Sequence, residues 1–453
     1  MPYGGPMTEK QTAWRQEISD VALETPGEFA SILKNLDPAW ILKALAATGK
    51  ASMRRRKLPA EQVVWLVLGM ALFRDQSIAM LVDLLDIALP SGGRPSVVQS
   101  AIPWARARLG PEPLRWLFEQ TARVWSTKLA ELYAWRGLKV YAMDGTTFRL
   151  DDSKANRDHF GSAKTTKMCA YPQGRAVVLI AAHARMTVAA KFGPYATGEQ
   201  TLGAELWNDV PESSVVIVDR AFNSVDRLLR LSGQSNRHWL LRAKSSTKWT
   251  VIEQYGPDEM IVDMKVSNKA REANKELPKT YRVRVIAYQK KGFTRQHLLT
   301  SMLNRSDFPS GSIVELYHSR WEVENAFDEI KTEMLNREEC LRSKTPNGVL
   351  QEFWGILLAH NLIRLEMARV AQEANLEPTR ISFVAAASLI TKQWASCGTA
   401  SPGAIPKHLI KLRENISRFI LPPRRSGRHY PRVVKSRDTK YPVKQSAIPL
   451  PAN

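Results

Sequence analysis

Cysteine is nearly absent. Cys169, Cys340 and Cys397 are the three in 453 residues. They are odd in number and far apart, so the chain shows neither a disulfide framework nor a metal-ligand spacing. A reducing interior is expected. Long apolar runs are missing too: the longest, VVWLVLGMALF at 63–73, falls well short of the roughly 20 residues that span a bilayer. The first residues, MPYGGPMTEKQTAWRQE, lack the apolar centre of a signal peptide. No membrane partner and a cytoplasmic location are therefore expected. Acid is in short supply, with 44 Asp plus Glu against 65 Lys plus Arg, a formal net charge of +21. Such an imbalance suits a polyanion, and nucleic acid is the first expectation. With 44% hydrophobic residues, wholesale disorder is excluded.

What is present changes in texture along the chain. Residues 1–135 read as helical. LPAEQVVWLVLGMALFRD starts with Pro59 at an early helical position and is apolar almost throughout, which predicts a buried helix. SVVQSAIPWARARLG follows a PSGGRP break, with Ser96 as a possible N-cap. Two short helices across a glycine turn would suit a helix-turn-helix or an ordinary bundle. RRRK at 54–57 suits phosphate contact or a solvated charge run.

Residues 136–244 alternate between short apolar runs and helical stretches. LKVYAMDGT, RAVVLIAAHA, MTVAAKFG, SSVVIVDRAF and HWLLRAK read as five strands of an α/β core. Residues 245–305 interrupt it with period-two alternation around QKKG, a β-rich insertion with a hairpin. The core resumes over 306–345, helices fill 346–420, and 421–453 form a basic tail. From Ser401 onward twelve Lys or Arg oppose Glu414 and Asp438, so +10 of the charge lies there.

Asp144 and Asp219 each follow a buried strand, at the carboxyl edge where open α/β sheets place ligands. Helix capping accounts for many such aspartates singly; a matched pair with an acidic helix nearby is more informative. Three converging carboxylates repel one another unless a hard cation neutralises them, and all-oxygen donors suit Mg²⁺, or Mn²⁺ as a substitute. The acidic helix is YHSRWEVENAFDEIK at 317–331. At about 100° per residue from Tyr317, Arg320 falls near 300°, Glu324 near 340° and Lys331 near 320°. Val323, Phe327, Ile330 and Met334 form the adjoining buried stripe. Glu322, Asp328 and Glu329 point elsewhere and are expected in solvent. From the helix alone, a surface helix with i,i+4 ion pairs is the favoured account. His183 and His297 read as ordinary strand residues, Asp151 and Asp152 as a loop pair, and Asp209 as a helix end.

Tyr, two residues, Arg, three residues, Glu, six residues, Lys is also the helix motif of the bacterial insertion-sequence-four family of DDE transposases. This sequence is similar at Tyr317, Arg320, Glu324 and Lys331. YAMDGTTFRL resembles the family's first-aspartate segment, VVIVDRAF its second, and RRRKLPAEQVVWLVLGMALFRDQSI its N-terminal domain. The likeness covers roughly residues 50 to 340. It implies a ribonuclease-H-like catalytic core interrupted by a β insertion, with an N-terminal helical DNA-binding domain. It makes Asp144, Asp219 and Glu324 the metal triad, with two ions expected. Tyr317, Arg320 and Lys331 would contact DNA phosphates at the element's end. Family members stack a flipped base on a tryptophan of the insertion; Trp249 is the one tryptophan in 245–305.

The implied activity is cut-and-paste transposition. Water attacks the phosphodiester at the terminal inverted repeat and frees a 3′-OH, which can form a hairpin on the opposite strand and finally attacks target DNA. Double-stranded DNA is the implied partner. Pairing two ends implies a homodimer on DNA. Two other readings are a non-catalytic repressor derived from a transposase, and a ribonuclease-H-like nuclease without strand transfer.

Overall fold

The computed structural model describes residues 36, 38–51, 58–84, 100–163, 169–233, 236–290, 294–336, 340–397 and 405–422. The chain divides into two units, one of 1–121, 330–376 and 381–420, the other of 122–329, 377–380 and 421–453. The glycine break PSGGRP, the candidate cap Ser96, the RRRK run and the tail from 423 lie outside the described residues.

The first unit is helical. It holds Pro38–Ala47, Ala60–Leu72, Ile78–Leu84 and Ala101–Leu109, then Pro346–Glu373, Phe383–Cys397 and Ile405–Ser417. Pro59 precedes Ala60–Leu72 in an extended conformation, and every residue from Glu61 to Ala71 is buried. That burial is what its nearly unbroken apolar sequence requires. Pro346–Glu373 opens on Thr345, whose side chain accepts from the Gly348 N–H, a standard N-cap. The two buried helices meet at Gly355. A Cβ there would stand 2.7 Å from Val67 Cγ1, so glycine is what permits the close crossing.

The second unit is built on one mixed sheet. Its strands are β1 (Lys139–Leu150), β2 (Gln173–Ala181), β3 (Met186–Pro194), β4 (Ser214–Val218), β5 (Arg237–Arg242), β6 (Thr250–Gly256), β7 (Glu259–Lys265), β8 (Thr280–Tyr288) and β9 (Gln296–Thr300). They lie in the order β3-β2-β1-β4-β5-β9-β8-β7-β6. β1, β2 and β3 are an antiparallel meander, β4 and β5 run parallel to β1, and β9 returns antiparallel to β5. The strands of 245–305 therefore prolong the sheet from β5.

Alternation along the strands separates two cores. Tyr141, Met143, Val216 and Val218 face one, with Trp207, Leu228 and Leu231. Val140, Val215 and Ile217 face the other, with Ile313, Leu316 and Tyr317 of the helix Ser310–Tyr317.

The 317–331 stretch departs from the single regular helix that its spacing suggests. After Ser310–Tyr317 come a 3₁₀ turn, His318–Arg320, an α-helix, Trp321–Asp328, and a π-helical turn, Glu329–Met334. The Leu335 N–H donates to the Ile330 carbonyl, five residues back, at 3.1 Å. Each change of hydrogen-bond step changes the angle per residue, so a uniform 100° count fails beyond Asp328. His183 also differs from expectation: it lies in the turn between β2 and β3, not in a strand.

Candidate active site

Strand register builds the site. β1 and β4 run parallel with Met143 opposite Val218, the last pair of that ladder. The next residue on each strand is an aspartate, Asp144 and Asp219. Both fall on the alternation of Val140, Val215 and Ile217, so both belong to the face that packs against Ser310–Tyr317. β1 itself continues to Leu150 along β2. Asp144 thus sits mid-strand, at the point where β4 stops covering it, and not at a strand terminus. Asp219 caps a 3₁₀ turn, Arg220–Phe222, its side chain accepting from the Arg220 N–H.

The helix Trp321–Asp328 brings the third acid to that face. Arg320 Nη2 donates to Glu324 Oε1 at 2.7 Å, and its Nη1 stands 3.4 Å from Asp144 Oδ2. One guanidinium therefore bridges the first and third acids. Asp144 Oδ1 also accepts from the Gly145 N–H at 2.8 Å. Burial pushes the Asp144 carboxyl up to about 6; the Gly145 N–H and Arg320 oppose the rise, while Asp219 and Glu199 add to it. Like charges crowd this carboxylate, and Arg320 offsets part of the repulsion.

Tyr317 is buried at the end of its helix, and burial raises its hydroxyl pKa, with Arg320 and Arg242 opposing. Lys331 lies on the π-helical turn, in the other unit of the chain. Trp249 rests half-buried on the sheet core, its ring centroid 5.6 Å from that of His297. The structure thus gathers Asp144, Asp219, Arg320, Glu324 and Tyr317 on one sheet face and does not bring Trp249 to them.

Glu322 and Glu329, expected in solvent, are instead buried and both bonded to Arg185. The physical reason is that the second face of the helical run packs against the β2–β3 turn, where a buried arginine needs acids. Glu199 was also not singled out by sequence. It pairs with Arg175 at 2.8 Å, and its side chain abuts Gly145 so closely that a Cβ there would lie 2.7 Å from the Glu199 carboxyl carbon. The adjacent Asp-Gly pair was the one available signal. Trp321, 42% exposed, takes Arg320 in cation–π contact at 5.2 Å.

Oxygen-only donors, crowded like charge and a bridging cation are the chemistry of a hard divalent site. Among the described residues, no three His, Cys, Asp or Glu side chains are already gathered to hold an ion. Glu324 would have to leave Arg320 to join such a site. No described helix is long and apolar enough to cross a membrane.

The chain is similar in sequence to known proteins. Residues 26–119 match the insertion element 4 transposase N-terminal family, and residues 135–362 match the transposase DDE domain. The transposase InsG for insertion sequence element IS4 of Escherichia coli K12 is 34% identical over 90% of this chain and 92% of its own. The putative transposase InsZ of the same strain is 33% identical over 52% of this chain and 79% of its own. Among solved structures, a chain of the piggyBac transposase synaptic complex with hairpin DNA aligns over 89% of this chain and 87% of its own, at 12% identity and a TM-score of 0.43. With both aspartate segments and the helix motif inside the matched DDE domain, the chain belongs to the insertion-sequence-four family of DDE transposases.

Proposed function

We propose that this transposase recognises the terminal inverted repeats of its own element, cuts there, and joins the freed 3′ ends to target DNA as a homodimer. Asp144, Asp219 and Glu324 are the proposed catalytic acids. The strand order β3-β2-β1-β4-β5, an antiparallel meander followed by two parallel strands, supports a ribonuclease-H-like core. The observation that supports the acids is that one guanidinium, Arg320, bonds both Asp144 and Glu324, while Asp144 and Asp219 are each the residue after the paired Met143 and Val218.

The three carboxylates would hold Mg²⁺, which when bound activates water and stabilises the leaving oxygen. The chain's own groups supply position. Arg320, whose guanidinium already spans two acids, would turn its fork onto a backbone phosphate. Tyr317, fixed by its buried ring, would present its hydroxyl to the same strand. Lys331 would supply a further positive charge to the DNA, and +21 over the whole chain draws the polyanion in. Trp249 is the proposed stacking residue for a flipped base, on family resemblance; its seat on the sheet core equally serves to anchor β6.

Glu324→Gln, Asp144→Asn and Asp219→Asn should each abolish Mg²⁺-dependent nicking of an end-bearing duplex while leaving its binding intact. Gel analysis of the products reads hairpin formation and joining to a target in the same assay. Full nicking by Glu324→Gln would remove the third acid from the mechanism. Nicking without joining would favour a nuclease, and binding without nicking by the unaltered protein a repressor.

A further inference from the structure

Glu322 and Glu329 share the helical run that carries Glu324, and both are buried. Seven residues is about two α-helical turns, so they lie on one side of it. A single group holds both. Arg185 Nε donates to Glu322 Oε2 at 2.6 Å, and Arg185 Nη1 donates to Glu329 Oε1 at 2.6 Å. Asn325 adds a bond to the same Glu322 oxygen at 3.2 Å.

Arg185 has an unusual seat. It ends the turn between β2 and β3 with φ of +52°, a left-handed conformation that residues other than glycine seldom adopt. The turn is tight: the Ala184 N–H donates to the Ala181 carbonyl at 3.2 Å. Ala181 in turn pairs with Tyr141 of β1, three residues before Asp144. The guanidinium is therefore anchored, through one turn, to the strand that carries the first acid.

Glu324 lies two residues from Glu322, about 200° round the helix. Grip on the Glu322 side thus fixes where Glu324 points on the opposite side. There Arg320 holds Glu324 to Asp144. Two arginines grip the same short helix from its two sides, one at the acids and one behind them.

We infer that Arg185 is a positioning residue for catalysis: by bonding Glu322 and Glu329 together it sets the rotation of the helix at which Glu324 meets Asp144 and Asp219. The inference rests on the proposed triad. A buried fork on two carboxylates fixes direction as well as distance. Reaction geometry is sensitive to such placement, a shift of about 1 Å costing on the order of 100-fold in rate.

The test uses the full chain and compares wild type with Arg185→Met/Glu322→Gln/Glu329→Gln, which removes the charges together and leaves none stranded, and with Arg185→Lys, which keeps the charge but loses the fork. Affinity for end DNA, single-turnover nicking, and Mn²⁺ binding to the DNA complex by electron paramagnetic resonance are measured for each. The expected result is unchanged DNA affinity and melting, nicking slower by about 100-fold in the neutral triple variant, and weaker Mn²⁺ binding. Arg185→Lys should recover part of both losses. Wild-type nicking in a folded variant overturns the inference, and so does parallel loss of DNA binding and nicking, which would make the cluster simple scaffolding. Should the triple variant not fold, Arg185→Lys is judged by the same criteria. Glu324→Gln serves as the control: if it nicks normally the triad has failed, whereas if it is dead and the Arg185 variants are normal only the positioning role has failed.

Discussion

Asp144 shows what the site costs the fold. Burial pushes its carboxyl up to about 6 in the folded chain, against an ordinary value of 3.8. A folded-state pKa above the unfolded one means that the folded chain binds this proton more tightly. Above pH 6 the folded form must hold a charge that burial disfavours, and the penalty fades as pH falls towards 4. Asp144→Asn should therefore stabilise the metal-free protein by about 1–3 kcal/mol at pH 7.5, and by roughly half as much at pH 5. Urea unfolding in EDTA at the two values measures it. A destabilised variant at pH 7.5 would mean that the bridge to Arg320 outweighs the burial penalty. The two aspartates were legible in sequence because each follows a buried apolar run. Arg185 and Glu199 were not, since their partners lie 137 and 24 residues away and nothing local marks them.

At the scale of elements, regular spacing was readable and its interruptions were not. The strands 139–150, 173–181, 214–218 and 237–242 follow short apolar runs, and the helix Ala60–Leu72 follows its longer one. The 317–331 stretch misled on one point. Counting at a single angle put Glu322 and Glu329 on the face away from Glu324 and so in solvent, because acids are read as exposed unless a buried partner is known, and Arg185 lies 137 residues from Glu322 in sequence. Helix crossing was equally silent. Gly355 looked like any helical glycine, yet a Cβ there would meet Val67 Cγ1 at 2.7 Å and the Val67 carbonyl oxygen at 3.4 Å. Helix propensity alone would make Gly355→Ala favourable by about 1 kcal/mol. The close crossing should reverse the sign, and the variant should lose about 1–3 kcal/mol in urea unfolding.

Charge governs the whole molecule. Residues 423–453 carry Arg424, Arg425, Arg428, Arg432, Lys435, Arg437, Lys440 and Lys444 against Asp438 alone. A chain ending at 422 should bind random-sequence DNA more weakly, and the slope of log affinity against log salt should flatten by about one unit for each phosphate that the tail no longer neutralises. Preference for end over random DNA should persist if the helical N-terminal region reads the sequence, as the family resemblance implies. Fluorescence anisotropy across a salt series measures both quantities. An unchanged salt slope would place the phosphate-neutralising groups elsewhere on the +21 chain.

The pairing of Met143 with Val218 also bears on how copies of such a gene decay. Side chains alternate between sheet faces, so losing one codon between Lys139 and Asp144, or between Ser214 and Asp219, turns that aspartate to the far side. Every acid would still be spelled out, and a reader scanning the gene for its three carboxylates would score it as intact. On the proposed triad, a damaged copy can thus look whole in its letters while being inert in its geometry, and the residue count from Lys139 to Asp144 and from Ser214 to Asp219 is as much a part of the inherited site as the aspartates themselves.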